Sequence, residues 1–374
     1  LFFCAFLIKN YRTTKYSKII SWNMREDVIR LKTRYLIMVL ITILGISIGY
    51  SSLNTELRVS GEAKVSVSSD VAGNKILGDN GSKESIESKG EPDFSKTAIT
   101  DEGMFAAKDN DGISYYYRGA VENNWLYFAG YYWRIIRING DGSIRIIYNG
   151  KTSNQTGEDT QIGTSAFNNL YDQSEYVGLK YTLGEQHGNS INSVILNVLN
   201  DWYEKNLLNY SDYINDSGFC GDRTSTTSST SAPDGTGGIG NITTYYGSRY
   251  RLYNNKQPTL KCPDVTNDLY TTLNNSFGNK SLNYPIGLIS ADEVAFAGGV
   301  HEIENNSYYL YTNQDYWTIS PCGSPFTRLF AVFNDGSFTN GRVYNSYGVR
   351  PVINLKKDVM LSGNGSKENP YRVL

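Results

Sequence analysis

The residues able to do chemistry are few and widely spaced. Two histidines, His187 and His301, and four cysteines, Cys4, Cys220, Cys262 and Cys322, are the only soft metal ligands. They form no His-x-x-x-His and no Cys-x-x-Cys, the spacings that bring two transition-metal ligands together, so no metal site is expected. Carboxylates are plentiful, and Asp292 with Glu293 or Asp201 with Glu204 would suit acid and base roles. Each pair falls at a helix position where capping or solvated charge accounts for it, and no catalytic residue is assigned. Asp109-Asn-Asp-Gly112 resembles the start of a calcium loop but lacks further acidic ligands at the required spacing. Gly235-Thr-Gly-Gly-Ile-Gly240 matches the dinucleotide fingerprint letter by letter. That fingerprint needs a strand before it and a helix after it, whereas a Ser/Thr run precedes and Asn-Ile-Thr-Thr-Tyr-Tyr follows. The stretch reads as a low-complexity loop, and no cofactor is expected.

Cysteine placement says more. Cys220 and Cys262 flank the loop Gly221–Gly240, so a bridge between them would close it. In the chain-entropy account such a staple contributes ~3–4 kcal/mol, and it requires an oxidising compartment. Cys322, in Ser320-Pro-Cys-Gly-Ser-Pro325, is then left unpaired or in an alternative bridge.

The compartment is written near the N-terminus. Residues 35–55 carry no charge and are apolar all round from Tyr35 to Leu44. At ~1.5 Å per residue a helix of that length just crosses a hydrocarbon core of ~30 Å. Arg25, Arg30, Lys32 and Arg34 precede it and no basic flank follows, which places everything after residue 56 outside the cell. Small residues at Ser47, Gly49 and Ser51 suit a signal peptidase, so the segment is either a retained anchor, the reading preferred, or a cleaved signal. Met24 begins a basic leader, and residues 1–23 read as an over-extended gene model or a cytoplasmic tail. The expected order is leader 1–34, membrane or signal segment 35–55, stalk 56–100 and extracellular globular domain 101–374. Within the stalk, Asp79–Glu91 reads as flexible from its Ser, Gly, Lys and Glu content.

Charge and aromatic content limit the partners. Lys plus Arg number 35 against 37 Asp plus Glu, so no basic field exists to hold a nucleic acid. Thirty tyrosines reflect either codon usage in an AT-rich genome or a surface built for recognition, and both can hold.

The elements that would position such a surface are mostly strands. Ile113–Gly119, Trp125–Ile138 and Ser143–Tyr148 are aromatic and β-branched, the last two joined by Asn139-Gly-Asp-Gly142. Ile191, Val194, Ile195, Val198, Leu199 and Trp202 keep helical spacing, with Asn189 or Ser190 as cap. Ser290-Ala-Asp-Glu293 is a capping-box sequence opening a shorter helix that stops at Gly298-Gly299. Short strands are expected at Tyr308–Tyr311, Tyr316–Ile319, Leu329–Phe333, Gly341–Tyr344 and Val349–Leu355. The fold class is α+β: a transmembrane helix, then one mixed domain of short antiparallel strands with two helices.

Tyr316-Trp-Thr-Ile-Ser-Pro321, Ala331-Val-Phe-Asn-Asp-Gly-Ser337 and Tyr347-Gly-Val-Arg-Pro-Val-Ile-Asn-Leu355 carry a resemblance. They look like the C-terminal domain of a group of exported proteins of unknown function from low-GC Gram-positive bacteria. Phe128–Ile138 and Gly287–Ala295 fit the same group, so the likeness covers roughly residues 113–355. That domain is similar in turn to the C-type-lectin-like and formylglycine-generating-enzyme folds. The resemblance implies a lectin-like domain without the oxidase, since the cysteine pair of those enzymes is reduced here to Cys322. It also implies no calcium-dependent sugar site, because Asn334-Asp335 lacks the preceding Trp. The lectin-like fold displays ligand-binding residues just before its last strand in the variable proteins of diversity-generating retroelements. By that likeness the ligand-binding residues are Phe326, Arg328, Phe338, Asn340, Arg342, Tyr344 and Asn345, while Arg350 ties the last strand down. The function expected is a membrane-anchored, non-catalytic recognition protein binding a glycan, peptide or protein. The alternatives are an extracytoplasmic enzyme acting on cell-wall or glycan material, or a subunit of a surface matrix.

Overall fold

The structure, a computed structural model, describes Met38 and residues 71–225, 244–323 and 327–374. The chain divides into two units, Leu1–Val67 and Ser68–Leu374, and the fold below is that of the second. Apart from Met38, the segment 35–55 lies outside the described residues, as does Phe326. Among the described residues no helix is long and apolar enough to cross a membrane.

The second unit is α+β with strands predominating. Among the described residues nine strands form a large sheet. Its middle pairs Ile144–Tyr148 with Val352–Leu355, Ile146 opposite Ile353 and Ile147 opposite Val352. Both strands are buried along their whole length, and the polar residue in each, Arg145 and Asn354, meets the other at 3.4 Å. The sequence suggested one strand over 125–138. The chain instead doubles back at Ala129 and Gly130, φ 53° and 84°, so that Phe128 pairs with Tyr131. Two successive left-handed residues make the hairpin turn whose twist matches its strands. Asn139–Gly142 turns as its composition predicts, Asn139 N–H donating to the Ser143 carbonyl at 2.8 Å.

A smaller sheet orders Phe338–Arg342, Arg328–Val332, Tyr316–Gly323, Tyr347–Gly348 and Thr164–Ser165. Tyr308–Tyr311, expected as a strand, is a buried turn. Its Leu310 carbonyl accepts from Tyr316 Oη and Arg350 Nη1, side-chain donors that take the place of a ladder partner.

Both expected helices form. Val194–Asn206 is capped by Ser193, whose hydroxyl accepts from Leu196 N–H, and it buries Ile195, Leu196, Leu199 and Tyr203. The cap is therefore neither Asn189 nor Ser190, because Ile191–Asn192 is already paired with Lys180–Tyr181. Ala291–Phe296 carries the full Ser290/Glu293 capping box and is buried throughout.

Residues 71–100 depart from the stalk reading. Helices Ala72–Asn80 and Lys83–Glu87 pack onto the body through Ala72, Ile76, Leu77 and Ile86, and Phe94 and Ala98 are also buried. Tyr115 Oη donates to Glu87 at 2.6 Å and Tyr371 Oη to Asp79 at 2.9 Å. A polar composition conceals enough apolar residues, Ile76 and Leu77 above all, to fill one helix face.

Candidate functional site

The expected ligand-binding positions separate into three environments. Phe338 is core: it is 1 % exposed and meets the rings of Phe330 and His301 at 5.8 and 6.0 Å. Its ring is enclosed by those of Phe330 and His301, so it cannot touch a ligand. Arg328 and Asn340 are half-buried and bonded to each other, Arg328 Nη1 donating to Asn340 Oδ1 at 2.6 Å. Asn345 Nδ2 donates to Tyr347 Oη at 2.7 Å.

Of the expected positions among the described residues, Arg342 and Tyr344 alone are exposed, and they act as one surface. Arg342 Nη1 donates to Tyr344 Oη at 2.7 Å, and its guanidinium lies 6.0 Å from that ring centroid. Tyr171, which the sequence did not single out, completes the patch. Its ring meets Tyr344 edge-on at 5.0 Å, and the two are 45 % and 39 % exposed. Thr327 fixes the Tyr171 segment: its N–H and hydroxyl both donate to the Tyr171 carbonyl, at 3.0 and 2.9 Å. Such a pair offers flat apolar area and polar tips with little rotamer freedom left to lose.

The second assembly is buried. Glu293 Oε1 lies 2.5 Å from Arg145 Nε and 3.1 Å from Arg137 Nε, and Arg137 Nη1 reaches Asp109 at 3.0 Å. Burial pushes the Glu293 carboxyl up, but Arg145 and Arg137 outweigh it and hold the group below its ordinary value. The same desolvation pulls Arg145 down against the attraction of Glu293. Asp109 accepts from Asp111 and Gly112 N–H, Ser114 Oγ and Gly140 N–H as well as from Arg137. The calcium-like loop is thus an Asx turn whose carboxylate is fully occupied. Asp292 takes Arg251 in a fork at 3.1 and 2.9 Å, and Arg251 also donates to Asp222 at 2.7 Å. These groups line a cavity of about 60 Å³ whose wall includes Cys220 and Cys262. The two sulfurs lie at bonding distance, with Cα atoms 5.5 Å apart.

No family model, curated protein or solved structure matches this chain.

Three further groups have their roles set by burial. Arg350 is 1 % exposed and donates to the Tyr148 and Leu310 carbonyls and to Asn149 Oδ1, with its guanidinium 4.7 Å from the Tyr316 ring centroid. It ties the strand Val352–Leu355 to carbonyls and to no carboxylate among the described residues; that strand is not the last, since Leu361–Ser362 and Tyr371–Val373 follow it. Cys322 is a free, buried thiol held above its usual pKa by desolvation, although Arg249 Nη1 approaches it at 3.6 Å. His187 Nδ1 contacts Asp268 at 3.0 Å, and Asp268 also accepts from Arg223 Nε at 2.8 Å. His187, Asp264 and Asp268 offer ligand atoms within 4.8 Å of one another, but Arg223 already supplies the positive charge there.

The sequence did carry a signal for the buried cluster. Arg137 and Arg145 sit inside strands that, apart from Arg134, are otherwise Ile and aromatic, where a charge must find a partner. The identity of that partner was not legible, since Glu293 lies 156 residues from Arg137.

Proposed function

We propose that this chain is an exported, cell-surface recognition protein that binds a glycan, peptide or protein without catalysis. Residues 35–55 hold it in the membrane, or release it if they are cleaved. The contact surface is Tyr171, Arg342 and Tyr344 in a lectin-like domain. The observation that carries the reading is the exposed pair of tyrosine rings 5.0 Å apart, braced by Arg342. The patch is ordered before any ligand arrives, so little of its binding energy goes to fixing side chains. Two rings and a guanidinium side by side accept flat apolar faces and hydroxyl or carboxylate partners. Export is supported by the Cys220–Cys262 pair, since bridges persist in oxidising compartments.

The carboxylates considered for catalysis favour the same reading. Asp292 and Glu293 are each bound to arginine, an arrangement that holds charge in place rather than moving protons. Asp201 and Glu204 point to solvent on their helix. The test is a glycan and peptide array probed with the full chain and with a Tyr171→Ala/Arg342→Ala/Tyr344→Ala variant. Signals lost in the variant support the patch. Signals unchanged refute it, and turnover abolished by one carboxylate substitution would establish the enzyme instead.

A further inference from the structure

Asp222 is the one carboxylate of the buried cavity that the arginines leave half-bound. Its Oδ2 accepts from Arg251, whereas its Oδ1 is buried with no hydrogen-bond partner among the described residues. The residue is 3 % exposed and holds φ at 27°, a left-handed conformation that costs a residue with a side chain. Strain of this kind is kept where the surroundings impose it, often at ligand sites. Of the other carboxylates lining the cavity, Asp111 is exposed, while Asp109, Asp292 and Glu293 are saturated by arginine and by hydrogen bonds. With Asp111 and Lys261, which also line the cavity, five carboxylates face four cations, leaving one negative charge in excess. The unmatched charge is the one with the free oxygen.

The cavity opens toward more negative charge. It shares walls at Asn110, Asp111, Ser217 and Leu269 with a groove of about 620 Å³. Asp111, Asp141 and Asp216 line that groove, and no Lys or Arg does among the described residues. Asp216 repeats the pattern of Asp222: Oδ2 accepts from Thr272 N–H and Oγ1, while Oδ1 is buried without a partner. Burial pushes Asp216 and Asp222 above the ordinary carboxylate value, the state that a bound cation would reverse.

We propose that the Asp222 cavity receives the terminal ammonium of an aliphatic di- or polyamine whose remaining chain lies along the Asp111–Asp141–Asp216 groove. A primary ammonium is a compact cation with three donors, which matches one excess charge and an oxygen in need of a hydrogen bond. The cavity of about 60 Å³ admits a few water-sized groups, enough for the ammonium and its adjoining methylenes. This site is separate from the Tyr171–Tyr344 surface, so either can fail alone.

Isothermal titration of the full chain with 1,4-diaminobutane tests it, with 1,4-butanediol at equal concentration as the neutral control. Saturable diamine binding, at least tenfold weaker in Asp222→Asn and absent for the diol, is expected. Equal binding to wild type and Asp222→Asn, or equal diol binding, overturns the site. Nα-acetyl-lysine methylamide distinguishes the source of the ammonium: weaker binding than the diamine supports a free polyamine, and tighter binding overturns that choice. A readout independent of the variant's folding is the ¹³C carboxyl shift of Asp222 in the wild-type protein. Movement on diamine addition is expected, and a static signal at saturating diamine refutes the proposal.

Discussion

Replacing Glu293 by Gln isolates one charge in the buried cluster. Glutamine keeps the shape and can still serve the capping box, where Glu293 Oε2 accepts from Ser290 N–H at 2.9 Å. What disappears is the negative charge 2.5 Å from Arg145 and 3.1 Å from Arg137. Arg137 retains Asp109. Among the described residues Arg145 retains the Gly218 carbonyl at 3.1 Å, Asn354 at 3.4 Å and the Phe219 ring. Leaving a buried cation without its partner costs ~3–5 kcal/mol, and Glu293→Ala should lose about 1 kcal/mol more with the cap. Urea unfolding at neutral pH measures both. The pH dependence gives a second check. Arginine holds the folded-state pKa of Glu293 below its unfolded value, so its stabilisation is present above that unfolded value, ~4.3. It is lost as pH falls through the lower folded value, and Glu293→Gln flattens that acid limb. A loss under ~1 kcal/mol with an unchanged acid limb would refute the view that this ion cluster is a structural keystone.

Other perturbations follow from the same geometry. Gly140→Ala should destabilise by about 1–3 kcal/mol, the usual cost of overpacking, because the added Cβ would lie 2.3 Å from Asp109 Oδ1. Thermal unfolding of the variant reads this. Cys220→Ala with Cys262→Ala removes a link across a sequence separation of 42 and should cost about 4 kcal/mol in the chain-entropy account, read by denaturant midpoint. His187 is held above its usual pKa by its hydrogen bond to Asp268. Its contribution is complete below the unfolded value of ~6.5 and fades as pH rises through the folded value, so His187→Gln should lose stability at pH 5–6 and less above. Cys322, buried with a raised pKa, should resist thiol reagents in the native protein and react on unfolding.

The sequence made local devices legible and long-range ones not. Ser290 and Glu293 announce a capping box three residues apart, and both bonds form. The helix of Val194–Asn206 shows through its apolar spacing, though its start was misplaced because Ile191 fits the period while belonging to a strand. The turn at Ala129-Gly130 has no sequence signature, because an alanine seldom takes a left-handed conformation and aromatic residues flank both sides. Tyr308–Tyr311 has strand composition, yet Arg350 and Tyr316 satisfy its Leu310 carbonyl from the side. Phe338 belongs to the expected ligand set by its place in a Tyr/Asn-rich stretch, yet packing against Phe330 and His301 buries it. Tyr171 could not be linked to Tyr344 from sequence, since nothing local records a contact across so many residues. The Asp222 cavity is likewise assembled from side chains far apart in the chain, with only the arginines inside apolar strands giving it away.

The recognition surface is tested most directly by measuring affinity for the first ligand captured on the array, comparing two exposed tyrosine sites. Tyr344 pairs with Tyr171, whereas Tyr210 and Tyr213 flank Phe128 on a different element. Aromatic hot-spot anchors typically contribute ~2 kcal/mol or more, so Tyr344→Ala should weaken binding more than tenfold. The Tyr210→Ala/Tyr213→Ala variant should bind as wild type. Full affinity in Tyr344→Ala, with loss in the other variant, would contradict the account.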